Sequence, residues 1–369
     1  MTLKILIAAG GTGGHIFPGL AVAREFQRRD PEVEIRFVGT ARGLESRIIP
    51  GEGFSLEFIT VGALKGVSIS ERARSLAGLP ASLTSAWSVI RRFGPDLVIG
   101  VGGYSSGPTL LAAALKRIPT MVIEPNAMPG FTNRVLSRFV DAAGVTFEES
   151  LRYFGGRGAV TGNPVRSEFA HLKKKQRGDK LSLLIFGGSQ GAHSINVAMI
   201  GALPLIPADK LSITHQTGET DFETARNAYN AAGFEDARVT QFIKEIAREF
   251  ERADLVICRS GATTVAEIAA AGKAAIFIPF PFATDDHQRK NAEAFQRRGA
   301  GRMVLQSDLT PERLALELRE LIARPDEISK MEDASKQLGK PNAAECAVDL
   351  ALSIAKCSTE ANAAAGIDR

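Results

Sequence analysis

Cysteine is scarce in this 369-residue chain: Cys258, Cys346 and Cys357 share neither a C-x-x-C spacing nor a neighbouring histidine. That pattern argues against a disulfide framework and a thiolate metal site, and it fits a reducing cytosol. There is no D-x-D pair, so no carboxylate site for a diphosphate-bound metal is evident; neither a metal nor a tightly bound cofactor is expected. The absence of G-x-x-x-x-G-K-[ST] excludes ATP or GTP held by a P-loop. No uninterrupted apolar stretch approaches the ~20 residues of a membrane span, and the first residues lack the charged, apolar, small succession of a secretory signal. A soluble protein is expected, one that can still touch a membrane. The net charge of +4 comes from dispersed basic residues without an aromatic-basic platform, so nucleic acid is not indicated as a partner. The densest basic run, HLKKKQRGDK at 171–180, reads as a solvated linker.

With 44% hydrophobic and 23% charged residues, the composition is globular and the length suits two domains. Apolar runs alternate with helical patterns throughout, the mark of an α/β protein. The first half offers strands near 3–9, 33–39, 54–60, 96–101, 120–124 and 140–146, the second near 181–186, 211–215, 237–241, 254–258 and 274–279. Between them TGNPVRSEFAHLKKKQRGDK (161–180) is rich in turn residues and charge. Two doubly wound units are expected, each binding its ligand at the carboxyl ends of its strands, with the two facing one cleft.

GGTGGH (Gly10–His15) follows the apolar run LKILIAA. Glycines there let the backbone take positive φ and approach a ligand, while the next helix, with Pro18 expected in its first turn, aims its partly positive N-terminus at the same place. A ligand-free turn fits Gly10–Gly14 equally well. The dinucleotide fingerprint does not fit: Ile16 stands where a third glycine is required, and the second strand ends in Gly39 and Thr40 without an acid. The second half opens the same way, with GGSQG (187–191) after its first strand, where backbone N–H groups and the Ser189 hydroxyl suit phosphate oxygens. In CRSGATTVAEIAAAG (258–272), Glu267 lies on an Ala-rich helix where a carboxylate suits two ribose hydroxyls; an exposed, solvated glutamate is the alternative. In PFPFATDDHQRKNA (279–292), Asp285 can cap a helix whose first turn holds His287 and Gln288. Asn126 offers an amide after a strand end. Arg166, in GNPVR, suits a base or a phosphate, or else a surface ion pair of little energetic weight.

GGTGGH, GGYSSGP (102–108), E-x-N (124–126), GNPVR, GGSQGA, CRSGATTVAEIAAAG and DDHQRKNA, in this order over nearly the whole chain, closely resemble the MurG family of peptidoglycan glycosyltransferases. The resemblance implies a GT-B fold: an acceptor and membrane-facing domain at 1–163 with 341–357 packed back on it, a donor domain at 164–340, and a flexible tail at 358–369. It implies transfer of N-acetylglucosamine from UDP-GlcNAc to lipid I, giving lipid II, at the cytoplasmic face of the membrane. On the donor side it implies Ile243 at the uracil, Glu267 at the ribose, and Ser189, Gln190 and Gly191 at the diphosphate. Gln288 and Asn126 would meet the GlcNAc and Arg166 would lie near the base, with Ala262, Thr12, Gly13 and Gly14 completing the donor set. For the acceptor pyrophosphate it implies Gly10, Gly11, Gly13, Gly14, Gly102, Gly103 and Tyr104. Pro125 replaces a glutamine of other members, and His287 stands where some carry glutamine. Cell-wall synthesis and division proteins are implied as partners.

An α-linked donor giving a β-linked product requires single inversion, so a general base must take the proton of the acceptor's 4-hydroxyl. A neutral imidazole titrates near working pH, which makes His15 the candidate; helix capping or phosphate binding are its alternatives. Leu76, Leu79, Leu83, Trp87 and Ile90 recur at helical spacing near Lys65, Arg72, Arg74, Arg91 and Arg92. That stripe suits contact with an anionic membrane or, equally, a core, and Pro80 is expected to break the helix. UDP-GlcNAc 2-epimerases share the GT-B architecture and donor but need no lipid acceptor; a non-catalytic UDP-sugar sensor is a third reading.

Overall fold

The structure, a computed structural model, describes residues 2–61, 79–170, 172–173, 177–188, 191–283 and 286–364. Ser189, Gln190, Asp285, Leu76, Lys65, Arg72 and Arg74 lie outside the described residues. The chain divides into two compact units, Met1–Arg166 with Lys340–Arg369, and Ser167–Gly339.

Among the described residues the first unit is built on a seven-stranded parallel sheet. Its strands are β1 (Lys4–Ala9), β2 (Glu34–Gly39), β3 (Ser55–Phe58), β4 (Leu97–Gly102), β5 (Thr120–Glu124), β6 (Ala142–Val145) and β7 (Gly158–Val160), ordered β3-β2-β1-β4-β5-β6-β7. β1 is apolar on both faces because both are covered. Ile5 and Ile7 join a core with Ile16, Leu20, Ala347 and Val348, whereas Leu6 and Ala8 join Ala86, Val89, Ile90 and Leu110 on the other face. The order reverses between β1 and β4, and there the register slips: Ala8 faces Gly100 but Ala9 faces Gly102. This irregularity sits at the carboxyl end, beside both glycine turns.

The second unit repeats the plan. Strands β8 (Leu181–Phe186), β9 (Leu211–Gln216), β10 (Arg238–Thr240), β11 (Leu255–Cys258), β12 (Ala274–Phe277) and β13 (Gly301–Met303) run parallel in the order β10-β9-β8-β11-β12-β13. The reversal lies between β8 and β11, where Phe186 has Gln216 on one side and Cys258 on the other. The doubly wound fold expected for each half is borne out. β7 and β13 were not anticipated, since three residues carry no period and each opens on glycine.

One expectation about proline is corrected. The helix after the first turn is Gly13–Arg29, so Pro18 lies inside it, beyond the first turn. Pro80 is the second described residue of the helix Leu79–Phe93, and the segment before Leu79, where the expected break would fall, lies outside the described residues. That helix turns Ser82, Ala86, Val89, Ile90 and Phe93 inward; Leu79 and Leu83 are half-buried and Trp87 is exposed. Ile90 therefore belongs to the core. No described helix is long and apolar enough to cross a membrane.

Candidate functional site

In the first unit the chain leaves β1 at Gly10 and enters the helix Gly13–Arg29 through Gly11, at φ +87°, and Thr12, an exposed N-cap with extended backbone and no capping side-chain bond. His15 N–H and Ile16 N–H both donate to the Thr12 carbonyl, at 3.0 and 3.2 Å. The His15 ring folds back on the turn, with Nδ1 3.2 Å from the Gly10 carbonyl oxygen. Gly102 and Gly103, at φ +123° and +82°, close over it from the end of β4. A Cβ on Gly102 would lie 2.7 Å from His15 Cδ2, and one on Gly103 would lie 2.2 Å from the Gly10 oxygen. The two turns assigned to the acceptor are thus in direct contact, with the imidazole seated against the second; Tyr104 follows, half-buried.

Glu45 was missed in the sequence. It is fully buried and accepts from Gly11 N–H at 2.8 Å, Thr40 N–H at 2.9 Å and the Thr40 hydroxyl at 2.8 Å. Burial pushes this carboxyl up, but the combined pull of those donors holds it below the usual range. The Gly11 N–H, in the turn assigned to the acceptor pyrophosphate, is therefore engaged within the protein. The signal in the sequence was glycine itself: Gly10, Gly39 and Gly43 all leave room for the Glu45 side chain.

At the end of β5, Glu124 of the E-x-N motif is buried, and its oxygens accept from Asn126 N–H and Nδ2 at 2.9 and 3.1 Å, Asn133 Nδ2 at 2.9 Å and Gly130 N–H at 3.2 Å. Burial pushes this carboxyl up, against those four donors. The Asn126 amide is thereby held against Glu124. Arg166, half-buried at the end of the unit, lies with its guanidinium carbon 5.2 Å from the centre of the Phe17 ring.

In the second unit β8 gives way to Gly187 and Gly188, the latter at φ +101°; Gly191, at φ +76°, precedes the helix His193–Ala202. A Cβ on Gly191 would lie 1.9 Å from the Thr217 carbonyl oxygen, so only glycine lets this turn pass the end of β9. Gln216, also missed, joins two predicted donor elements: its Nε2 donates to the Gly188 carbonyl at 2.7 Å, and its Oε1 accepts from Ile243 N–H at 3.3 Å. The N–H of Ile243, whose backbone is assigned to the uracil, is thus engaged within the protein. A polar chain runs from the same strand end. Asn196 donates to the Thr217 carbonyl at 2.8 Å and to Asp221 at 2.6 Å, and its Oδ1 lies 3.1 Å from His215 Nε2; His215 Nδ1 lies 3.0 Å from the Tyr229 hydroxyl. Burial pushes His215 down to about 3, so it stays neutral.

Glu267 is 7% exposed in the helix Ala262–Ala271, which removes the solvated-glutamate reading; Ala262, 8% exposed, is that helix's first residue. Gln288 lies in the first turn of the helix His287–Arg297, its Oε1 accepting from Phe280 N–H at 3.0 Å and its carbonyl from the Ser260 hydroxyl at 2.8 Å. The N-cap position falls to Asp286, at φ +54° and without a capping bond. Arg259 was passed over although it stands in the CRSGA motif. Its guanidinium donates to the Ile278 and Pro279 carbonyls at 3.0 and 3.1 Å, to Ser194 Oγ at 2.9 Å and to Gln306 Oε1 at 2.7 Å. It thereby ties the start of the helix His193–Ala202 to the loop leading to Gln288. Among the described residues no group of three or more His, Cys, Asp or Glu comes together that could hold a metal ion.

Residues 5–145 match the glycosyltransferase family 28 N-terminal domain and residues 182–346 the family 28 C-terminal domain. Over 359 residues, 96% of this chain and 99% of the relative, the sequence is 46% identical to the UDP-N-acetylglucosamine–N-acetylmuramyl-(pentapeptide) pyrophosphoryl-undecaprenol N-acetylglucosamine transferase of Syntrophus aciditrophicus. The crystal structure of Acinetobacter baumannii MurG, 33% identical, superposes with a TM-score of 0.80, covering 96% of this chain and all of that one. UDP-GlcNAc 2-epimerase from Neisseria meningitidis, at 15% identity and a TM-score of 0.68 over 95% of this chain and all of its own, shares the fold alone. The chain belongs to glycosyltransferase family 28 and, within it, to the MurG family of N-acetylglucosamine transferases.

Proposed function

We propose that this enzyme transfers N-acetylglucosamine from UDP-GlcNAc to the 4-hydroxyl of N-acetylmuramic acid in undecaprenyl-pyrophosphoryl-MurNAc-pentapeptide, forming the β-1,4 linkage of lipid II with inversion. The observation that carries it is the paired glycine turn of the first unit with His15 folded onto it, present in a chain 46% identical to a transferase of that name. The acceptor oxygen attacks C1 of the sugar, the bond from C1 to the diphosphate breaks, the hydroxyl proton passes to His15 Nε2, and UDP leaves with the electron pair. The base must be unprotonated on the nitrogen it uses. The Gly10 carbonyl can only accept, so Nδ1 carries the hydrogen and Nε2 the lone pair.

Gly13, Gly14, Gly102, Gly103 and Tyr104 are assigned to the acceptor pyrophosphate, where a helix N-terminus and close backbone approach favour an anion. Gly191 and the adjoining helix start take the donor diphosphate and its developing charge, with preorganised N–H donors rather than a metal. Glu267 takes the ribose, the Ile243 backbone the uracil, and Gln288 with Asn126 the sugar. We assign the protein to the cytoplasmic membrane surface. Trp87 is 41% exposed, and the neighbouring helices Ser106–Leu115 and Phe131–Leu136 bring Leu115 at 65%, Phe131 at 64% and Val135 at 48%, with Phe139 just beyond at 51%. Apolar side chains beside Lys116, Arg134 and Arg138 suit anionic lipid.

The test is UDP release from UDP-GlcNAc with and without a soluble lipid I analogue, on the wild type and His15→Ala. Acceptor-dependent release that collapses in the variant while UDP binding survives supports both the transferase and the base. Release without acceptor overturns the transferase.

A further inference from the structure

We propose that Glu45 is a positioning residue for His15, acting through the single peptide group that joins Gly10 to Gly11. The inference rests on the reading of His15 as the general base. The N–H of that peptide donates to Glu45 Oε2 at 2.8 Å, and the carbonyl of the same peptide accepts from His15 Nδ1 at 3.2 Å. The two hydrogen bonds use opposite ends of one delocalised unit. A carboxylate pulling on the N–H end moves electron density toward the carbonyl oxygen and strengthens its hold on the imidazole proton, the cooperativity expected of chained hydrogen bonds. Carboxylate, peptide and imidazole therefore form one line, with Nε2 at its far end.

The surrounding residues are arranged for this. Glu45 has no solvent exposure, and its second oxygen is fixed by both donors of Thr40. A Cβ on Gly10, Gly39 or Gly43 would lie 2.6, 2.5 or 1.9 Å from a Glu45 side-chain atom, so three glycines from two segments make room for one carboxylate. The ring at the other end is seated with equal closeness: a Cβ on Gly102 would stand 2.9 Å from Nε2 itself. When Nε2 takes the acceptor's proton, the imidazolium is stabilised through the same line, the service a directly bonded carboxylate gives a catalytic histidine elsewhere.

Glutamine at position 45 keeps the volume but cannot accept at both ends, so it must surrender either the Gly11 or the Thr40 N–H. The experiment is long-range nitrogen-proton NMR of the full chain with labelled histidine, the His15 resonances assigned by loss in His15→Ala. It is run on the wild type, Glu45→Gln and Thr40→Val, beside steady-state kinetics and UDP binding. The wild type should show His15 in the Nδ1–H form. Glu45→Gln should shift it toward Nε2–H and lower kcat by on the order of tenfold to a hundredfold, less than His15→Ala, with KM for UDP-GlcNAc and UDP affinity unchanged. Thr40→Val, which spares the carboxylate, should keep the tautomer even if stability falls. An Nε2–H tautomer in the wild type overturns the proposal whether or not Glu45→Gln folds, as does an unshifted tautomer in Glu45→Gln. A shifted tautomer with full turnover in both Glu45→Gln and His15→Ala upholds the link between Glu45 and His15 and overturns His15 as base.

Discussion

Gln216 donates from its side-chain amide to the carbonyl of Gly188 at 2.7 Å, fixing the end of one strand to the turn that follows its neighbour. The same amide group receives the Ile243 N–H. One side chain thus sets the distance between the element assigned to the diphosphate and the element assigned to the base. Gln216→Ala leaves both partners without it, a loss of about 1–3 kcal/mol for a buried group. The expected result is a roughly tenfold or greater weakening of UDP binding by calorimetry, with turnover at saturating donor much less affected.

Gly103 and Gly11 offer a paired test of strain against space. Both hold positive φ, but a Cβ on Gly103 would strike the Gly10 oxygen whereas one on Gly11 meets nothing within 4 Å. Gly11→Ala should cost on the order of 1 kcal/mol, the backbone penalty alone. Gly103→Ala should cost several times that, because the two turns must separate. Denaturant midpoints for the two variants give the comparison directly.

Acid should destabilise the protein in part through Glu45 and Glu25. Both carboxyls are held below their ordinary value of 4.5, Glu45 by its N–H and hydroxyl donors against burial, Glu25 chiefly by its hydrogen bond to Arg28, with Arg29 adding to it. A depressed folded-state value means stability fully present above about pH 4.5 and lost as pH falls through the folded-state value. Melting temperature against pH should therefore drop more steeply below pH 4.5 in the wild type than in Glu45→Gln, whose amide does not titrate.

Trp87, with the Lys116 ammonium 4.6 Å from its ring centre, is the described residue of the expected stripe best placed for lipid. Trp87→Glu should reduce co-sedimentation with anionic vesicles several-fold and leave UDP affinity intact. Equal binding by the variant would return this stripe to an ordinary surface role.

Long, strongly apolar strands and the glycine turns after them were legible because each follows from local chemistry: β1 and β8 cannot be half-exposed, and Gly10–Gly14 cannot be mid-helix. Glu267 was legible as a carboxylate in apolar surroundings. Glu45 was not, because its partner Gly11 comes from another segment, 34 residues away, and nothing at position 45 itself looks unusual. Gln216 and Arg259 escaped for the same reason, their meaning residing in the Gly188, Ile243, Ser194 and Gln306 groups they join. The short strands β7 and β13 exist only because a neighbouring strand offers its edge.

The helix Ala343–Ala364 contributes Ala347, Val348 and Ala351 to the same core as Ile5, Ile7 and Ile16, and packs on the helix Gly13–Arg29. A ribosome therefore makes most of the first unit, then all of the second, before the segment that completes the first emerges. At about 5–20 residues per second, the intervening Ser167–Gly339 leaves the early core uncovered on one side for roughly ten to thirty seconds. The second unit, contiguous in the chain, has no such wait, and the order of synthesis is the reverse of the order in which the two units can be finished.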